Sequence, residues 1–151
     1  AGELGLSQSD GPEEYIPAIQ GFGEKIGVAF QLVDDFLDLS ADEQETGKKA
    51  GTDIRRGVAT LPMLFLAHDA VGDETSATLF EDLEKGREGL LSDDEFSRAI
   101  EGLHSHSATR RTMDFARQVA DEAIAHLSEV PRDLISQALE RFAHQVVKRT
   151  N

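Results

Sequence analysis

The sequence contains no cysteine and no tryptophan, a single tyrosine and only four prolines in 151 residues. Without cysteine there is no disulfide framework and no thiolate metal site, and the chain suits a reducing compartment such as the cytoplasm. Scarce proline, few aromatics beyond eight phenylalanines, and abundant Ala, Leu, Glu and Asp favour helices over turn-rich sheets. Positive charge is also in short supply: 15 basic residues face 29 acidic ones, a formal net charge of -14. A nucleic-acid surface needs a basic patch, so that class of partner is excluded and cations are favoured. No apolar run approaches the roughly 18 residues of a membrane span, and the first residues lack the basic and apolar regions of a signal peptide. The expectation is one all-α domain over residues 1–151, soluble and cytoplasmic, with 39% hydrophobic residues to fill a single core.

Helix formers dominate from Glu13 to about Leu39, with Gly21, Gly23 and Gly27 as the main interruptions. At about 100° per residue, Phe22, Ile26, Val28, Ala29, Phe30, Leu32, Val33, Phe36 and Leu37 sweep most of the circumference. This predicts a buried helix with one narrow polar stripe. From Ser40 to about Gly57 periodicity fades and glycines recur, which predicts a loop beside the helix's C-terminal end. Thr60-Leu61-Pro62 then starts a second helix, with Thr60 as N-cap and Pro62 in the first turn. Further helices are expected at Glu74 to Lys85, after the capping box Ser92-Asp93-Asp94-Glu95, at Ser107 to Leu127 and at Pro131 to Val147. Their apolar positions, among them Leu79/Leu83, Phe96/Ile100/Leu103, Phe115/Val119 and Leu134/Ala138/Phe142/Val146, recur at helical spacing and read as core.

The polar stripe of the first helix carries the candidate chemistry. Relative to Asp34, Asp38 lies about 40° round the helix, Gln31 about 60°, Asp35 about 100° and Gly27 about 20°. Three carboxylates crowded on one quadrant repel one another and resist desolvation unless a cation neutralises them. Oxygen donors without His or Cys suit Mg²⁺, which keeps several waters and completes its shell from substrate phosphate. Lys48 and Lys49, about ten residues further on, supply cations for phosphate oxygens that the metal leaves free. An acidic helix face is more commonly just a solvated surface, so the aspartates gain meaning from their neighbours.

Those neighbours are Gly27-x-x-Phe30-Gln31-x-x-Asp34-Asp35-x-x-Asp38, then Gly47-Lys48-x-x-Gly51-x-Asp53, then Thr60-Leu61-Pro62. The ordered set resembles the second signature of the trans-isoprenyl diphosphate synthases, the polyprenyl synthetase family, and the resemblance extends less sharply over all 151 residues. It implies the C-terminal portion of the isoprenoid synthase helical bundle. It also implies a magnesium-dependent prenyltransferase that condenses isopentenyl diphosphate with an allylic diphosphate, giving a linear prenyl diphosphate and losing a proton. By the same resemblance Asp34 is a direct metal ligand, and Asp35 and Asp38 share ligation or hold the metal's waters. Gln31 sits by the reacting carbons, Phe30 lines the pocket, Lys48 binds the allylic diphosphate and Asp53 orders the loop. A homodimer in the full-length enzyme is implied as well.

Two departures qualify the likeness. Where the family's loop ends in Gly-Lys, this chain has Gly57-Val58, with Arg55 or Arg56 as possible replacements for the missing lysine. The family's first aspartate-rich motif has no counterpart here, so the expectation is an incomplete fragment, inactive by itself. The alternative is a non-catalytic or half-site helical subunit that pairs with another chain. Histidines 104 and 106, two residues apart, face different sides of a helix, so no zinc site is expected. Arg110-Arg111 read as helix-end charge.

Overall fold

A computed structural model of the chain describes residues 13–40 and 49–148. Every regular element among them is helical. After a 3₁₀ turn at Glu13–Tyr15, α1 spans Ile16–Leu39. It is followed by α2 (Thr52–Arg55), α3 (Leu61–Asp69), α4 (Glu74–Arg87), α5 (Asp93–Ser105), α6 (Ser107–His126) and α7 (Leu134–Lys148). A second 3₁₀ turn, Leu127–Glu129, closes α6. The described residues contain no helix long and apolar enough to cross a membrane.

Local sequence sets several of these boundaries. Ser92 accepts from the amide of Glu95 while Glu95 accepts from the amide of Ser92, the reciprocal box that opens α5. Asp73 and Asp133 each accept the amide of a serine three residues on, Ser76 and Ser136, and so open α4 and α7. That cap starts α7 at Leu134, three residues later than Pro131. Thr60 occupies the N-cap position of α3 in an extended conformation, yet its hydroxyl makes no capping bond. The segment expected to be all loop between Ser40 and Gly57 contains the short helix α2, because Gly51, at φ 75°, turns the chain into a helical first turn.

The chain divides into two compact units. One comprises residues 1–33 and 114–151, the other residues 34–113. In the first, Ile19, Phe22, Ile26, Ala29 and Val33 of α1 are buried, as are Ala116, Val119, Ala120 and Ala123 of α6. The ring of His126 lies against Gly21, where a Cβ would come within 2.7 Å of Nδ1, and Lys25 pairs with Glu122 at 2.9 Å. The opposite side of α1 is open: Val28 is 48% and Phe30 42% exposed, and Gln20, Gly23, Glu24, Gly27 and Gln31 are exposed too. The exposed side is therefore wider than one narrow polar stripe and includes Val28 and Phe30, a correction to the reading of α1 as a buried helix. Leu134 and Phe142, expected in the core, are likewise exposed, because α7 buries Ser136, Ala143 and Val146 instead, and Phe115 of α6 is exposed as well.

In the second unit, Leu39, Ile54, Met63, Leu66, Leu83, Phe96, Ala99, Ile100, Leu103 and Ala108 form one apolar cluster. Helix α4 packs on α5 and α3, and at Gly86 the approach is so close that a Cβ would meet the Phe96 ring at 2.4 Å. Arg111 joins this unit by lying over the Phe65 ring, 4.9 Å from its centroid, while bonding Asp69. It is a tertiary tie rather than a solvated helix end. His106 links α4 to the start of α6: its Nδ1 accepts from Ala108 N at 2.9 Å, which leaves Nε2 protonated to donate to Ser76 Oγ at 2.9 Å. His104 instead meets Phe36, with ring centroids 5.8 Å apart, so the two histidines do face different ways.

Candidate functional site

The last turns of α1 deliver Asp34, Asp35 and Asp38 into the second unit. Their environments differ. Asp34 is half-buried, Asp35 is only 8% exposed and Asp38 is half-buried. A helix near its end has carbonyls without intrahelical partners, and the Asp38 carbonyl takes one from the loop: Gly51 N donates to it at 2.9 Å. The Asp38 side chain takes a second, since Oδ2 accepts from Asp53 N at 3.1 Å. Burial raises the Asp38 pKa above the usual carboxylate value and the charges of Asp53 and Asp35 add to this, while the amides of Asp53 and Thr52 oppose it.

Helix α2 is fixed from several sides. Thr52 Oγ1 donates to Lys49 O at 2.8 Å, Val58 N donates to Asp53 O at 2.9 Å, and Ile54 is fully buried in the apolar cluster. Arg55 donates from Nε to Ala50 O, from Nη1 to Asp93 and from Nη2 to Ser97, at 2.9–3.1 Å, and its guanidinium lies 4.7 Å from the Phe96 ring centroid. With three donors engaged and one face on an aromatic ring, Arg55 braces α2 against α5. Arg56 and Val58 are exposed. Lys49 is also committed, to Asp93 at 2.8 Å, and the paired cations hold the Asp93 carboxyl below its ordinary pKa, the Lys49 contact contributing most.

Of the residues singled out from sequence, Asp34, Asp35, Asp38 and Asp53 belong to the second unit, and Asp38 and Asp53 are in direct contact. Phe30 and Gln31 lie on the exposed side of α1 within the first unit. Lys48 lies outside the described residues. Sequence reasoning missed Asp93, which gathers Lys49 and Arg55 from about forty residues away; its place in the capping box was visible, its remote partners were not.

Among the described residues no three His, Cys, Asp or Glu side chains converge closely enough to enclose a metal ion. Asp34, Asp35 and Asp38 offer oxygen donors only, the donor type that Mg²⁺ takes alongside water.

Comparison with known proteins identifies the lineage. The signature of the family described as Polyprenyl synthetase matches residues 1–92. The chain belongs to that family. It is 33% identical over 138 residues to octaprenyl diphosphate synthase of Escherichia coli (strain K12), covering 91% of this chain and 41% of that one. A decaprenyl diphosphate synthase from Rhodobacter capsulatus superposes with a TM-score of 0.78 at 28% identity, over 99% of this chain and 45% of that one. A polyprenyl synthase from Caulobacter crescentus CB15, solved with calcium and isoprenyl diphosphate, gives 0.73 at 35% identity, over 90% and 40%. The chain thus spans less than half the length of these relatives, and its fold is their all-α isoprenoid synthase fold.

Proposed function

We propose that this chain carries the diphosphate-binding aspartates of a magnesium-dependent prenyltransferase that joins isopentenyl diphosphate to an allylic diphosphate, yielding a linear polyprenyl diphosphate. The observation that carries the reading is the set of three carboxylates at the end of α1, half-buried Asp34 and Asp38 with buried Asp35, inside the stretch that matches the family. The relatives' names support the reaction class, and the calcium and isoprenyl diphosphate of the Caulobacter structure support a hard divalent cation beside a diphosphate.

In this reading Asp34 holds the metal directly, with Asp35 and Asp38 beside it. Bound magnesium supplies neutralisation of the departing diphosphate, which lowers the barrier to breaking the allylic C–O bond. The chain's own residues position and shield. Phe30 offers an apolar ring beside the allylic carbons and Gln31 a neutral polar group that does not trap a cationic carbon. Lys48 binds diphosphate oxygens and Asp53 orders the segment that follows. Such positioning and charge stabilisation are large catalytic effects. Homodimerisation and a cytoplasmic setting belong to the same proposal and rest on the family likeness.

The test is calorimetric titration of pyrophosphate into the 151-residue chain with and without Mg²⁺. Binding is expected only with the metal, and Asp34→Ala is expected to weaken it by about tenfold or more, the scale of a charge-assisted contact. Equal binding by the wild type and Asp34→Ala would leave the chain as a helical scaffold that pairs with another subunit.

A further inference from the structure

We propose that Arg55 is a positioning residue for diphosphate binding: clamped to α5 by Asp93 and Ser97, it fixes the main chain that follows Lys48. The part played by Lys48 rests on the function proposed above; the clamp itself rests on contacts within the second unit alone.

A lysine has a long, flexible stem, so its grip on a phosphate depends on how firmly its backbone is held. Both residues that follow Lys48 in sequence are held by groups further along the chain. The Lys49 ammonium donates to Asp93 Oδ2 at 2.8 Å, and the Ala50 carbonyl accepts from Arg55 Nε at 3.1 Å. Arg55 and Asp93 are in turn joined, Nη1 donating to Oδ1 at 3.1 Å, while Arg55 Nη2 donates to Ser97 Oγ at 2.9 Å. One guanidinium therefore connects the segment before α2, α2 itself and the first turns of α5.

The strength of the arrangement lies in Arg55 rather than in the surface pair. The Lys49 and Asp93 side chains are 48% and 59% exposed, and an isolated ion pair of that kind shifts an equilibrium by at most about fivefold. The Arg55 side chain is only 19% exposed, and its planar group lies 4.7 Å from the Phe96 ring centroid. Phe96 is a firm support, buried and closed against Gly86. Asp93 is also held in place, in the first turn of α5 just after the Ser92 cap. A lysine at position 55 offers a point charge in place of a fork whose donors reach three acceptors in fixed directions, so the clamp is specific to arginine.

Calorimetry of magnesium pyrophosphate is run on the 151-residue chain and on its Arg55→Gln, Arg55→Lys and Asp93→Asn variants, each with Lys48 and with Lys48→Ala. Amide exchange at Arg56 and Val58, which donate to Thr52 O and Asp53 O, follows α2, and exchange at Leu66 and Leu83 reports the core. Lys48→Ala is expected to weaken binding by about tenfold or more, the loss of a charge-assisted contact. Arg55→Gln and Arg55→Lys each weaken it about fivefold or more when Lys48 is present and less than about twofold when it is absent, the non-additivity of residues that act through one another. Asp93→Asn also weakens binding, although removing a negative charge by itself favours an anion. The inference is overturned if Arg55→Lys binds as tightly as the wild type, if Arg55→Gln loses equally in both backgrounds, or if Asp93→Asn binds more tightly. If the Arg55 variants lose core protection, the sign of the Asp93→Asn effect decides. If the wild-type chain binds no magnesium pyrophosphate, the proposed function fails, and the clamp is judged on exchange alone. There Arg55→Gln is expected to speed Arg56 and Val58 exchange by about tenfold, and unchanged exchange refutes it.

Discussion

Gly51 shows at the scale of one residue how the site depends on its surroundings. Its φ of 75° is a conformation that L-residues adopt only with strain, and a Cβ there would come within 2.7 Å of Ile100 Cδ1. Gly51→Ala is expected to cost about 2 kcal/mol or more in a chemical-denaturation experiment, since the backbone penalty of about 1–3 kcal/mol is joined by a clash with a buried side chain. An unchanged midpoint would mean that the turn into α2 is looser than its geometry implies. Individual residues were legible from sequence to unequal degrees. The aspartates and Gln31 stood out because they share one helical quadrant at fixed spacing, which needs only 100° per residue, whereas Phe30 drew notice through the family signature. Arg55 did not, because its role depends on Asp93, Ser97 and Phe96, roughly forty residues away and brought near only by folding.

Elements were legible where their signals are local. The Ser92 box, the apolar period of α5 and the extent of α1 follow from neighbours within one or two turns. Burial was misread for α7, where Leu134, Ala138 and Phe142 repeat at the right interval yet face outward, Leu134 at 81% exposure. Periodicity identifies an apolar stripe but not what covers it. The two N-caps make a matched comparison. Ser92 accepts the Glu95 amide, whereas Thr60 Oγ1 is buried without a protein partner. Ser92→Ala is therefore expected to lower stability by about 1 kcal/mol. Thr60→Val, which removes a buried hydroxyl of nearly the same shape, is expected to leave stability unchanged or raise it in the absence of ligand. Thermal unfolding of both variants checks the pair; a larger loss for Thr60→Val would show that its hydroxyl has a partner in solution.

Over the whole molecule, the excess of acidic over basic residues accords with the proposed binding of a divalent cation. The all-α class followed from composition and helical period, and the structural relatives share it. The division into two units did not, because it depends on which helical faces meet, and the chain changes unit inside α1 and again inside α6. The most direct test of the account is prenyl transfer by the protein encoded by the complete gene, followed with radiolabelled isopentenyl diphosphate and an allylic diphosphate. Magnesium-dependent growth of a polyprenyl product is expected, with Asp34→Ala lowering kcat by on the order of 100- to 1,000-fold, the usual loss when one preorganised charge stabiliser is removed. Product formation that ignores magnesium, or an Asp34→Ala protein as active as the wild type, would contradict the central claim.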